Sequence, residues 1–119
     1  MKITESEWAV LDVLWSGGRF ALGEVVEQLQ PVMGWSRNTV FTYLTRMAKK
    51  QLISIDRTQE KPYTAAVQRE DCAKAERDAL LSKVYDGAAG DLVAAFLKES
   101  AISQEERDRL RKMLDEMEV

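Results

Sequence analysis

The chain has 119 residues, of which 45% are apolar, enough for one domain or a small domain with an appendage and too many for a chain disordered by composition. With no histidine and one cysteine, Cys72, it has no route to an internal disulfide, a histidine-dependent hydrolytic triad or a thiolate–imidazole metal site. The net charge of −3 argues against a uniformly basic nucleic-acid coat, so charge matters here only through its distribution. Carboxylates are plentiful, but none sits in an acid–base pattern, so neither an enzyme nor a cofactor is expected. No apolar run approaches the roughly 18–20 residues that cross a bilayer. The opening MKITESEW leads straight into a polar helix start, which predicts no signal peptide, no membrane insertion and a cytoplasmic protein.

Thr4 and Glu7 form a capping box that opens the first helix. Trp8, Leu11, Leu14 and Trp15 recur at helical spacing, with Val10 and Val13 widening the stripe, and the two tryptophans are expected as core anchors. Gly17-Gly18 ends this helix. Phe20-Ala21 is short and can pair as a minor strand. Leu22 to Gln30 reads as a second helix, with Leu22, Val25, Val26 and Leu29 inward. Pro31 is expected to stop it, and Pro31 to Gly34 to form a turn.

The stretch from Trp35 to Leu52 carries the chemistry. Ser36 is suited to cap a helix, accepting a bond from the N–H of Thr39 or a neighbour. At helical spacing Val40, Phe41, Tyr43, Leu44, Met47 and Ala48 gather on the side to be buried. Asn38, Thr42, Thr45, Arg46 and Lys49 gather opposite, with Thr39 and Lys50 at the margin. No carboxylate occurs between Trp35 and Ile55, whereas an ordinary solvated face mixes Glu with Lys. Residues 35–61 hold six bases (Arg37, Arg46, Lys49, Lys50, Arg57, Lys61) against two acids (Asp56, Glu60), while residues 62–119 hold nine bases against thirteen acids. The basic charge is therefore local, and it is the local field that phosphates feel.

Two helices joined by a tight turn, the second carrying a polar basic face, match a helix-turn-helix. Leu52 to Thr58 then alternates with period two, Gln59-Glu60-Lys61 makes a polar turn, and Pro62 to Val67 returns. This hairpin is a wing, with Ile53 and Ile55 expected inward and Arg57, Gln59 and Lys61 near its tip. By residue chemistry, Asn38 suits adenine, and Thr39, Thr42 and Thr45 suit base edges or a thymine methyl. Arg46 and Lys49 suit phosphates, with guanine within the reach of Arg46. Ser36 and the helix N-terminus can take a phosphate, Arg57 and Lys61 the flanking backbone or minor groove, and Arg37 and Lys50 complete the expected DNA-binding set. A winged helix can also serve as a protein-interaction module without DNA; glutamates on that face would favour this, and there are none.

Past the wing, Arg69 to Tyr85 reads as a helix with Ala73, Leu80, Leu81 and Val84 on one side. Asp86 to Gly90 is a break, and Asp91 can start a helix bearing Leu92, Val93, Phe96 and Leu97. Ser103 with Glu106 suggests another capping box, followed by a narrow stripe of Leu110, Met113, Leu114 and Met117. These stripes need a partner, and the simplest is the same surface of a second copy; folding back on the preceding domain is the alternative. The expected architecture is mainly α with a small β-hairpin: a winged helix-turn-helix domain at 1–68 and a helical dimerisation region at 69–119.

Three segments, ITESEWAVLDVLW, WSRNTVFTYLTRMAKKQLI and KVYDGAAGDLVAAFLKE, resemble the penicillinase-repressor family (BlaI/MecI type) in one register over nearly the whole chain. The resemblance implies a homodimeric repressor on a palindromic operator in double-stranded DNA. It also implies regulation of β-lactam resistance genes and release through a membrane-bound sensor protease that leads to a cut in the dimerisation helices. The family's cut falls at an Asn-Phe bond; the matching position here is Ala95-Phe96, without the Asn. The copper-responsive branch carries paired cysteines near its C-terminus, which this chain lacks, so copper sensing is not implied.

Overall fold

The computed structural model describes residues 2–117; Met1 and residues 118–119, the extreme ends of the two expected regions, lie outside the described residues. Six helices and one two-stranded antiparallel sheet follow the order α1 (Glu5–Trp15), α2 (Leu22–Met33), α3 (Arg37–Lys49), β1 (Ile53–Ile55), β2 (Tyr63–Ala65), α4 (Arg69–Tyr85), α5 (Ala89–Glu99) and α6 (Gln104–Glu116). The described chain divides into two compact units that part inside α4, the first ending at Ala75 and the second beginning at Glu76.

The first unit is a winged helix-turn-helix. Thr4 starts α1 with a complete capping box: its hydroxyl accepts from the Glu7 N–H at 3.2 Å, and its own N–H donates to the Glu7 carboxylate at 3.0 Å. Val10, Leu11 and Leu14 of α1 meet Val25 and Leu29 of α2 and Val40, Leu44 and Met47 of α3 in one buried cluster. Leu52, Ile53, Tyr63 and Phe20 close it from the sheet side. Trp8 and Trp15 pack edge to face, with centroids 5.4 Å apart, and both are half-buried. The Trp15 indole N–H donates to the Val67 carbonyl at 2.9 Å, tying α1 to the chain that leaves the wing. Buried Cys72 lies in the first turn of α4, as a small helix residue.

Pro31 does not stop α2, which continues to Met33. Its missing N–H removes one bond near the helix end, where the loss is small, and the helix ends instead at Gly34, in the left-handed region at φ 63°. At the other end of α3, Gln51 takes the same region at φ 64°. Its N–H donates to the Ala48 carbonyl at 3.0 Å, and the Leu52 N–H donates to the Met47 carbonyl at 3.0 Å. This double bond is a Schellman closure, with Leu52 and Met47 both buried beneath it. It turns the chain directly into β1.

The strands are shorter than their alternating pattern, pairing Ile53 with Ala65, Ser54 with Thr64 and Ile55 with Tyr63. Ile53 is buried and Ile55 half-buried against the cluster. Phe20 bridges Tyr63 through two backbone bonds, of 2.9 and 3.0 Å, so the minor strand forms and braces the wing. A two-stranded hairpin alone is marginal in water; here it borrows a third edge and a buried base.

In the second unit, the chain turns from α4 through Asp86 and Gly87, both at positive φ, and α5 begins at Ala89, two residues before Asp91. Ser103 caps α6, accepting from the Glu106 N–H at 3.1 Å. Neither α5 nor α6 buries a single residue.

One ion pair fastens α3 to α1. The Lys50 ammonium lies 2.7 and 2.9 Å from the two carboxylate oxygens of Glu7, whose side chain is only 6% exposed. Burial alone pushes the Glu7 carboxyl up; bonds from Lys50 and from the Thr4 N–H outweigh it and hold the carboxyl below its ordinary 4.5. A lowered carboxyl pKa contributes stability above the unfolded value and loses it as pH falls through the folded one. Glu7→Gln is expected to cost about 1–2 kcal/mol in urea unfolding at pH 7, because Lys50 is partly solvated. The gap between variant and parent should narrow as the pH is lowered from 5 to 3; a gap that stays constant would show that the charge is not involved.

Candidate nucleic-acid interface

The outward face of α3 begins at its cap. Ser36 Oγ accepts from the Thr39 N–H at 3.2 Å and lies 3.1 Å from the Thr39 hydroxyl. The first intrahelical bond is from the Val40 N–H to the Ser36 carbonyl, leaving the N–H groups of Arg37 and Asn38 ahead of the ladder. The first turn contains no acid, so nothing opposes an anion at this helix end.

With Val40, Leu44 and Met47 fully buried, the opposite side is turned to solvent. Arg37, Asn38, Thr42, Arg46 and Lys49 are exposed, and Thr39 is half-buried. The Thr42 hydroxyl donates to the Asn38 carbonyl at 2.9 Å and keeps its oxygen lone pairs for another donor. Thr45 differs from its neighbours. Its Oγ1 is enclosed and has no hydrogen-bond partner among the described residues, so its hydroxyl is not displayed to a base edge. A shallow recess of about 350 Å³ is lined by Asn38, Thr39, Thr42, Tyr43 and Arg46.

Arg46 is supported from below. Its guanidinium lies 5.5 Å over the Tyr43 ring. Tyr43 in turn stacks on Trp35, with centroids 4.3 Å apart and planes within 7°. The turn before α3 and the cation near its far end therefore rest on one aromatic pile. The sequence placed Tyr43 simply among the buried residues. It is half-buried and works as a platform, which the three-residue spacing of Tyr43 and Arg46 foreshadows. Phe41, also assigned to the buried side, is 40% exposed and stands at the edge of the outward face.

Two of the six expected cations are committed elsewhere. Lys50 is held by Glu7, as described. Lys61 lies 3.1 Å from Glu24, whose other oxygen accepts from the Ala21 N–H at 2.9 Å to cap α2. Those bonds, the Ala21 N–H first and Lys61 second, hold the Glu24 carboxyl below its usual range. Arg19, which no local pattern in the sequence marks, donates to the Lys61 carbonyl at 2.9 Å and ties the wing to the chain before α2. Asp56 also sits in the wing turn, its carboxyl held low by bonds from the Thr58 hydroxyl and N–H and by the charge of Arg19. Arg37, Arg46, Lys49 and Arg57 form no ion pair among the described residues. Of the six cations in residues 35–61, these four remain open to an external anion.

A helix-turn-helix whose second helix displays unopposed cations and amides, followed by a braced hairpin, defines a winged-helix DNA-binding protein. No helix among the described residues is long and apolar enough to cross a membrane. The penicillinase repressor family matches residues 3–116, and the chain belongs to it. It is a transcriptional repressor by family, not an enzyme. The methicillin resistance regulatory protein MecI of Staphylococcus aureus (strain N315) is 29% identical over 117 residues, covering 96% of this chain and 94% of that protein. The penicillinase repressor of Bacillus licheniformis is 27% identical over 116 residues, covering 97% and 91%. Among solved structures, a MarR/EmrR family transcriptional regulator from Acinetobacter sp. ADP1 superimposes with a TM-score of 0.43 at 18% identity over 97% of this chain and 78% of that one, too loose a likeness to bear on function.

Replacing Tyr43 with Leu keeps apolar bulk and removes the platform. DNA affinity is expected to fall about 3-fold, the worth of one exposed cation–π contact. In an Arg46→Ala background the same change should have little further effect, and a full additive loss there would show that the two residues act separately. Fluorescence anisotropy on one labelled duplex measures all four proteins.

Proposed function

We propose that the chain works as a homodimer that binds a palindromic operator in double-stranded DNA and represses the adjacent genes. The observation that carries this reading is the outward face of α3, where three unpaired cations, Arg37, Arg46 and Lys49, and several hydrogen-bonding groups meet no carboxylate, with Arg57 of the wing as a fourth. Each copy sets α3 in a major groove. Asn38, Thr39 and Thr42 face base edges there, and Arg46 and Lys49 hold phosphates. Ser36, Arg37 and the free N–H groups of the first turn take another phosphate, and Arg57 touches the flanking backbone. Lys50 and Lys61 act indirectly, by fixing α3 and the wing. Thr45 contributes little to base reading because its hydroxyl is enclosed.

One such helix reads too few base pairs to select a site, so pairing is needed. Residues 1–68 serve as the DNA-binding part and 69–119 as the pairing part. Leu80, Val84, Val93, Phe96, Leu97, Met113, Leu114 and Met117 are all exposed, with Leu92 and Leu110 half-buried beside them. A second copy of this chain is the partner that covers such a face. The names of the relatives support β-lactam resistance genes as the regulated set, acted on in the cytoplasm. The family's release route, in which a membrane-bound sensor protease leads to a cut in the dimerisation helices, would fall at Ala95-Phe96 here, where the family's Asn is absent. Phe96 is 58% exposed on α5, and the helix must unwind there before a protease can hold it.

Titration against duplexes from the chain's own upstream region tests the reading. Four cations per copy, eight per dimer, give an expected slope of about −7 on a log–log salt plot. Arg46→Ala should flatten that slope by about two if the residue holds a phosphate in each copy. Absence of sequence-specific binding at low salt would overturn the proposal. Phe96→Asp is expected to give monomers by light scattering and to weaken operator binding on the order of 100-fold, the gain that pairing supplies. A variant that stays dimeric would move the pairing surface elsewhere.

A further inference from the structure

Phe41 is the one large apolar side chain exposed on α3, and the burial of Val40, Leu44 and Met47 does not require it. It stands roughly a quarter-turn from their direction, at the rim of the face turned to solvent. Beside it lies an open recess of about 240 Å³ lined by Phe41, Thr42, Thr45, Arg46 and Lys49, with more carbon than polar surface. The enclosed Thr45 hydroxyl leaves that flank of the recess without a displayed donor. Two cations, Arg46 and Lys49, share the lining with Phe41, and no acid lies within the helix.

An occupant must therefore bring a small apolar group and negative charge together. Thymine in duplex DNA does so: its 5-methyl projects into the major groove, where the other three bases present only donors and acceptors, and phosphates flank it. We propose that Phe41 is a specificity-determining residue that seats the 5-methyl of one thymine in each operator half-site. This rests on the reading of α3 as the DNA-contacting helix. The phenyl ring supplies the contact, Arg46 and Lys49 hold the neighbouring backbone, and the preference is for the methyl group rather than for the hydrogen-bonding edge.

The test uses the full chain and a preferred duplex selected from a random library. Each thymine is then replaced by uracil, which lacks only the methyl. One symmetric thymine per half-site is expected to weaken binding about 5-fold when changed singly and about 25-fold when both are changed. In Phe41→Ala the thymine-to-uracil ratio at that position should fall to about one, whereas Phe41→Leu should preserve most of it. The ratio compares two duplexes on one protein, so it is independent of any change in folding. If every uracil duplex binds the parent chain as the thymine duplex does, or if Phe41→Ala keeps the full ratio, Phe41 does not read a methyl. If the library yields no preferred sequence, it is the repressor reading that fails.

Discussion

Three side chains, Val40, Leu44 and Met47, decide which way α3 faces. They lie one turn or nearly so apart, and burying them against Val10, Leu11, Val25 and Leu29 leaves the helix no rotational freedom. A rotation that exposed them would cost several kcal/mol of apolar burial. The outward residues then do not have to fix the orientation of the helix, and they can remain polar and charged. This division of labour suits a binding helix: the inner stripe fixes the orientation, and the outer face stays free for a ligand.

Charge is managed in the same spirit. The first unit commits Lys50 and Lys61 to structure by pairing them with carboxylates, and leaves Arg37, Arg46, Lys49 and Arg57 open. Glu7 secures Lys50 and Glu24 secures Lys61, each carboxylate also closing the N-terminus of its own helix. One acidic side chain thus starts a helix and holds a distant element to it. The result is a small basic field on a chain whose net charge is −3, focused on one helix and one turn.

Much of this could be read from residue order, where the signals are local. The capping box at Thr4, the cap at Ser36, the alternating hairpin and the sequence of helices each depend on neighbours a few positions apart. What could not be read depends on distance. Glu7 and Lys50 are 43 positions apart, and Glu24 and Lys61 are 37 apart, so a count of charges inside one stretch cannot show that either lysine is engaged. Phe41 sits on the boundary between the two faces, where helical spacing alone cannot assign a side chain to inside or outside. The cost of Pro31 depends on how many helical bonds remain beyond it, and here almost none do, so a proline in the sequence does not by itself mark the end of α2.

The closure at Gln51 carries a consequence for how such a chain can change length. Only Lys50, Gln51 and Leu52 separate the end of α3 from the first strand, and all three are engaged: one in an ion pair, one in a left-handed turn, one in the core. An inserted or deleted residue at this joint would slip β1 by one position and swing Ile53 and Ile55 outward. The segment from Arg57 to Glu60, by contrast, is exposed throughout. Divergent copies of this fold are free to lengthen or shorten their hairpin tips while the hinge at its root keeps a fixed count.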